Sequence, residues 1–174
     1  MIYYNKNLGF TLVEALIILA IFSIIASLSA PYFNHFFAQQ EANRVVKTLT
    51  STLKNAKNEA AIRHTQIVIC SSSNLEVCAN NTWNDYLIIF IDTNSNRKID
   101  AHETILKTEY LNLKYGQLTW KAALNSPNIV FNKELGLPIG YNGSFYYCNP
   151  SNAIFHKIIL SKMGHIRTET ISNC

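Results

Sequence analysis

Several groups of residues in this chain have types and spacings that could do chemistry. Glu14 is the lone charge in the 21-residue apolar run Phe10 to Ala30. A carboxylate in lipid costs a few kcal/mol unless it finds a partner, so its natural chemistry is charge pairing. Cys70, Cys78, Cys148 and Cys174 can form two disulfides if the chain leaves the cytosol. Asp92, Asn94, Asn96, Asp100 and Glu103 fall at positions one, three, five, nine and twelve of a polar loop. Calcium takes six to eight oxygen ligands, and that spacing can wrap them round one ion. Near the C-terminus, Lys157, Lys162 and Arg167 offer cations suited to phosphate, with Gly164 and His165 between them.

Each group also has a plainer reading. The loop has Arg97 at position six, where a calcium loop needs Gly for its sharp turn, and Arg97 and Lys98 add positive charge. As a polar hairpin turn, its Asp and Asn side chains cap the loop's own amides instead. The cysteines lack the paired C-x-x-C spacing and nearby histidines of a zinc site. Tyr146, Tyr147 and Phe155 can stack bases or fill a strand core, and Gly164 can simply make a turn. His35, His64, His102, His156 and His165 are scattered, and there is no glycine-rich phosphate loop, nucleophile elbow or two-His zinc motif. The expectation is a protein without catalysis and without a cofactor, calcium at the Asp92–Glu103 loop excepted.

Composition agrees with a positioned, non-catalytic surface. The chain has 174 residues, 48% hydrophobic and 15% charged, with a formal net charge of +4. This excludes a disordered chain and a collagen-like one, and it falls short of the strong basicity of a dedicated nucleic-acid domain. At about 1.5 Å per residue, residues 10–33 include a helix long enough for the roughly 30 Å bilayer core. A cleaved secretory signal is the rival reading, with Ser27, Ser29 and Ala30 as the small residues. The apolar run is long for that role, and helical periodicity resumes past Pro31. Pro31 lacks an amide donor and should kink the helix as it leaves the bilayer.

Residues 34–64 continue as an amphipathic helix. Ala38, Ala42, Val45, Val46, Leu49, Leu53, Ala56, Ala60 and Ala61 form one stripe, and Glu41, Arg44, Lys47, Lys54, Lys57, Glu59 and Arg63 are assigned to a solvated face, with a lipid or subunit contact as the rival reading of its basic surplus. Residues 65–174 read as a β-rich globular domain. Strands are expected at Gln66–Cys70, Tyr86–Asp92, Thr104–Leu111, Gln117–Lys121, Asn128–Asn132, Ser144–Cys148, Ile154–Ser161 and His165–Thr170. Four cysteines allow three connectivities, and sequence does not choose among them. The favoured pairing is 70–78, closing a hairpin-like loop, with 148–174, holding the tail.

Gly9-Phe10-Thr11-Leu12-Val13-Glu14, ahead of an apolar helix, resembles the prepilin signature of type IV pilins and type II secretion pseudopilins. The soluble part resembles the GspH/FimT family of minor pilins and pseudopilins. The likeness is carried by Val68–Cys70 with Cys78, the Asp92–Glu103 loop and the tail Ile158–Cys174. It implies an α+β pilin fold, a long kinked N-terminal helix on antiparallel β-sheets. It implies a leader, residues 1–9, cut after Gly9 by a prepilin peptidase, and N-methylation of Phe10. It also implies single-pass insertion in a bacterial inner membrane with the globular domain in the periplasm. Glu14 would then pair with the N-terminal amine of a neighbouring subunit. The partners implied are minor and major pilins, and the place a filament tip. Type IV pilus assembly and the H-type role in a type II secretion system both remain open. Some FimT-type members bind DNA during natural transformation through Gly-Arg-x-Arg. The matching residues here are Gly164-His165-Ile166-Arg167, with His165 in place of the first arginine; a neutral histidine forms no ion pair with phosphate.

Overall fold

The computed structural model describes residues 11–174, the side chains of residues 28–31 excepted. Gly9 and Phe10 lie outside the described residues, as does the Pro31 side chain on which the expected kink rests. The chain divides into two compact units, ending and beginning at Phe37 and Ala38.

Helix α1 (Leu12–Arg63) runs for 52 residues. Its N-terminal part in the first unit leaves Leu12, Val13, Leu16, Ile17, Leu19, Phe22, Ile24 and Ile25 more than half exposed. Among the described residues no single helix is long and apolar enough to cross a membrane, whereas Leu12–Ser27 and Tyr32–Arg63 taken as a pair are, by length and composition.

In the second unit, α1 buries Ala38, Ala42, Val45, Leu49, Leu53, Ala56 and Ala60, each at most 1% exposed. These steps of three and four residues make one face, and the small alanines let strands approach closely. Val46 is half-buried at its margin and Ala61 is exposed, so the stripe is narrower than its apolar residues suggest.

Eight strands follow: β1 (Ile67–Ser72), β2 (Tyr86–Ile91), β3 (Ile105–Tyr110), β4 (Gln117–Ala122), β5 (Ile129–Phe131), β6 (Gly143–Asn149), β7 (Ile154–Leu160) and β8 (Ile166–Thr170). All eight expected strands form, with ends moved by one or two residues. They make two four-stranded antiparallel sheets, ordered β3-β2-β1-β5 and β4-β6-β7-β8. This is the α+β architecture expected. One core joins the α1 stripe to Ile67, Ile69, Leu87 and Ile89 of the first sheet and to Leu118, Trp120, Phe145, Tyr147, Ile154, Ile158 and Leu160 of the second. Trp83, Trp120 and Phe145 pack ring to ring at 4.6–6.3 Å, and the Trp120 indole donates to the Ser126 carbonyl at 3.1 Å.

The first sheet is covered on its other face too, where Val68, Cys70, Ile88, Phe90 and Val130 pack beneath Leu75, Cys78, Ile99 and Tyr141. The disulfide Cys70–Cys78 closes that cover, and Cys148–Cys174 ties the tail to β6. The pairing matches the favoured connectivity.

Candidate functional site

The acidic residue near the start of α1 forms a capping box. The Thr11 amide and hydroxyl each donate to Glu14 Oε2 at 2.9 Å, and the Glu14 amide donates to Thr11 Oγ1 at 3.3 Å. Two amides of the first helical turn, which have no helical acceptor, are thereby satisfied by side chains. The carboxylate is exposed, so the same oxygens can be re-engaged by an outside cation.

Further along α1, Glu41 corrects the sequence reading. Assigned to the solvated face, it is 7% exposed and sits at the edge of the buried stripe. Its carboxylate accepts from the amides of Lys114 (2.7 Å), Tyr115 (3.1 Å) and Gly116 (3.0 Å) and from the Tyr147 hydroxyl (2.9 Å). Four donors replace the water that burial removes. Burial and then the Glu41 carboxylate push the Tyr147 phenol well above its ordinary value. Gly116 is required here, because a Cβ would stand 2.3 Å from the Tyr147 ring. Arg44, one turn on, donates to the carbonyls of Tyr110 and Leu111. Together Glu41 and Arg44 fix the β3–β4 connection on α1. The signal for Glu41 was its place three residues after Ala38 and four before Val45, on the stripe itself.

The second sheet presents one open face. Its strands alternate, so Leu118, Trp120, Phe145, Tyr147, Ile158 and Leu160 point to the core while Lys121, Tyr146, Lys157 and Arg167 point away. Tyr147 is therefore core, whereas Tyr146 and Phe155 belong to the outer face. Lys121 and Lys157 hold their ammonium groups 4.7 and 5.5 Å from the centre of the Tyr146 ring. Arg167 on β8 lies opposite Ile159, and Glu169 lies opposite Lys157. Lys121 was missed by sequence reading, although the alternation Gln117-Leu118-Thr119-Trp120-Lys121 places it with the outward set.

Lys162, Gly164 and His165 occupy the β7–β8 turn at one end of this face. The turn closes through Gly164 N–H to the Ser161 carbonyl (2.9 Å) and Ser161 N–H to the His165 carbonyl (3.0 Å). Gly164 has φ +69°, and a Cβ there would stand 2.9 Å from Lys57 Cδ. The Lys57 ammonium donates to the Met163 carbonyl at 3.3 Å, so this cation holds the turn. His156 stands on the core side, with both ring nitrogens buried and unpaired, and burial lowers its pKa.

The Asp92–Glu103 loop links β2 to β3 and uses its oxygens on itself. Asp92, 1% exposed, accepts from Gln66 Nε2 (2.8 Å) and the amides of Asn96 (3.1 Å) and Arg97 (2.9 Å). Asn94 and Asn96 both donate to Asp100 Oδ2 at 2.7 Å, and these bonds lower the Asp100 pKa. Glu103 accepts from the amides of Thr93 and Asp100. Arg97 takes the left-handed turn (φ +61°) that a glycine usually makes. Among the described residues no group of three or more His, Cys, Asp or Glu side chains is placed to hold a metal.

The family model described as type II transport protein GspH matches residues 45–164, and that of the prokaryotic N-terminal methylation motif matches residues 4–30. Comparison with curated proteins finds no match. Among solved structures, the type IV minor pilin FimU of Pseudomonas aeruginosa is similar at 17% identity and TM-score 0.56, over 80% of this chain and 98% of that one. The minor pseudopilin EpsH of the Vibrio cholerae type 2 secretion system is similar at 10% identity and TM-score 0.53, over 75% and 97%. At these identities the likeness is one of fold.

Proposed function

The chain belongs to the GspH family, and from that premise we propose that it is a minor pilin or pseudopilin, a low-copy subunit that enters a filament through its N-terminal helix and sits at the tip. One observation carries the reading: a prepilin-type methylation segment and a two-sheet GspH domain stand on one chain. Prepilin peptidase cuts after Gly9, Phe10 becomes the methylated N-terminus, and the helix holds the subunit in the inner membrane with its globular unit in the periplasm. On assembly Glu14 exchanges its Thr11 donors for the Phe10 amine of a neighbouring subunit. An ion pair in a dry helix bundle is strong enough to set axial register. The partners are other minor and major pilins, and no catalysis enters the reading. The test is a strain whose sole copy carries Glu14→Ala. Membrane insertion should persist while surface pili, or secreted protein if the filament is a pseudopilus, fall sharply; normal counts of both overturn the reading.

A specific observation favours a second reading, DNA binding in natural transformation. Lys121, Lys157 and Arg167 share the open face with Tyr146, and the β7–β8 turn adds Lys162 and His165. Cations that track phosphates beside a half-buried ring on the outer face suit a nucleic acid. Gel shifts with residues 38–174 should give salt-sensitive binding that weakens in Lys121→Ala and Arg167→Ala. Absence of binding at micromolar protein in low salt ends this reading.

A further inference from the structure

Immediately after the apolar run, α1 carries four aromatic side chains that are each at least half exposed. Tyr32, Phe33, Phe36 and Phe37 are 83%, 59%, 52% and 50% exposed. They lie within two turns, and their spacing of three and four residues puts them on one arc of the helix, with Asn34 and His35 on the other. The rings are already organised: Phe33 stacks on Phe37 at 6.4 Å, and Phe36 meets Phe37 edge-on at 5.8 Å. A contiguous apolar patch of this kind marks a contact surface.

Length fixes its depth. The 21 residues Phe10 to Ala30 rise through roughly 30 Å, the thickness of a bilayer core. A run anchored at Phe10 therefore brings residues 32–37 to the headgroup level on the far side. Aromatic side chains concentrate at that level in membrane proteins, because an apolar ring and a wet boundary are both satisfied there. The residues that follow, from Ala38 onward, belong to the globular unit.

We propose that Tyr32, Phe33, Phe36 and Phe37 form a lipid-facing aromatic collar that docks at the headgroup–acyl boundary and sets how deep the helix sits before the subunit leaves the bilayer. The proposal rests on the membrane-spanning reading of α1, and its test separates the two. Full-length protein is reconstituted in phosphatidylethanolamine–phosphatidylglycerol vesicles carrying lipids brominated either near the carbonyls or near the chain ends. Trp83 and Trp120 are buried in the globular core and supply an unquenched wild-type background. Phe36→Trp should add emission quenched at least twofold more by the shallow bromines than by the deep ones. Phe22→Trp, in the middle of the run, should show the opposite order. With Phe33, Phe36 and Phe37 all changed to Ser, the Phe22→Trp depth profile should shift.

Quenching of Phe22→Trp without quenching of Phe36→Trp overturns the collar and leaves the span standing. A blue-shifted Phe36→Trp signal that no bromine quenches assigns the patch to a second copy of the helix, and so also overturns it. An unquenched Phe22→Trp removes the span, and the collar falls with it.

Discussion

The two sheets have four strands each and share one core, yet the first is covered on both faces over β1, β2 and β5 and the second on one. The difference is written in their strands. In β1 and β2 the runs Ile67-Val68-Ile69-Cys70 and Leu87-Ile88-Ile89-Phe90 are apolar without alternation, because odd positions meet α1 and even positions meet the cover closed by Cys70–Cys78. In β4 the residues alternate, and Lys121 points to solvent while Trp120 points to the core. Continuous runs record two covered faces and alternating runs record one. The first sheet is thus spent on stability, while the second keeps a face on which a partner can land.

The sharpest way to break this contrast is truncation on the outer face of each sheet. Phe90→Ala should lower unfolding free energy by about 3–5 kcal/mol through a buried cavity, whereas Tyr146→Ala should cost only about 1 kcal/mol, the loss of its two cation–ring contacts. Equal losses in chemical denaturation would mean that the second sheet is covered as well. Next, the disulfides should separate by consequence. Removing either one, as paired Cys→Ser changes, should cost about 2–4 kcal/mol. Only the loss of Cys70–Cys78 should raise binding of a hydrophobic dye, since only that bond closes an apolar cover.

A smaller effect is expected at the socket that joins α1 to the β3–β4 connection. Glu41→Gln turns a donor toward the Lys114–Gly116 amides and should cost about 1–3 kcal/mol in thermal or urea melts. The smallest concerns His156, on the core side of the second sheet. Its folded-state pKa is lowered by burial, so below the ordinary histidine value of about 6.5 the unfolded chain takes up a proton that the folded chain resists. Stability should therefore be full at and above that pH and fall as pH drops from there toward the folded value. In His156→Leu this part of the slope should disappear; an unchanged slope would place the acid sensitivity elsewhere.

Most of the fold was legible because its signals are local. Runs rich in β-branched and aromatic residues between polar clusters marked the strands, and three-four spacing marked α1 in the globular unit. The candidate sites were legible only in part. Tyr146 and Tyr147 are neighbours of the same type, and which one is core depends on the register of β6 against β4 and β7. The Asp92–Glu103 spacing admitted a calcium loop or a self-capped hairpin, and the partners its oxygens have here, Gln66 and the loop's own amides, come from the fold.

By itself the sequence determined the apolar helix with its single acid, the eight strands and the family signature, since each depends on periodicity or on a short contiguous motif. Only the tertiary structure decided that Glu41 is a buried acceptor, that Gly116 must lack a side chain, and that Lys121 joins Lys157 around Tyr146. Those facts depend on residues brought together from distant parts of the chain, 75 positions apart for Glu41 and Gly116, and no local pattern encodes which distant amide or ring will arrive.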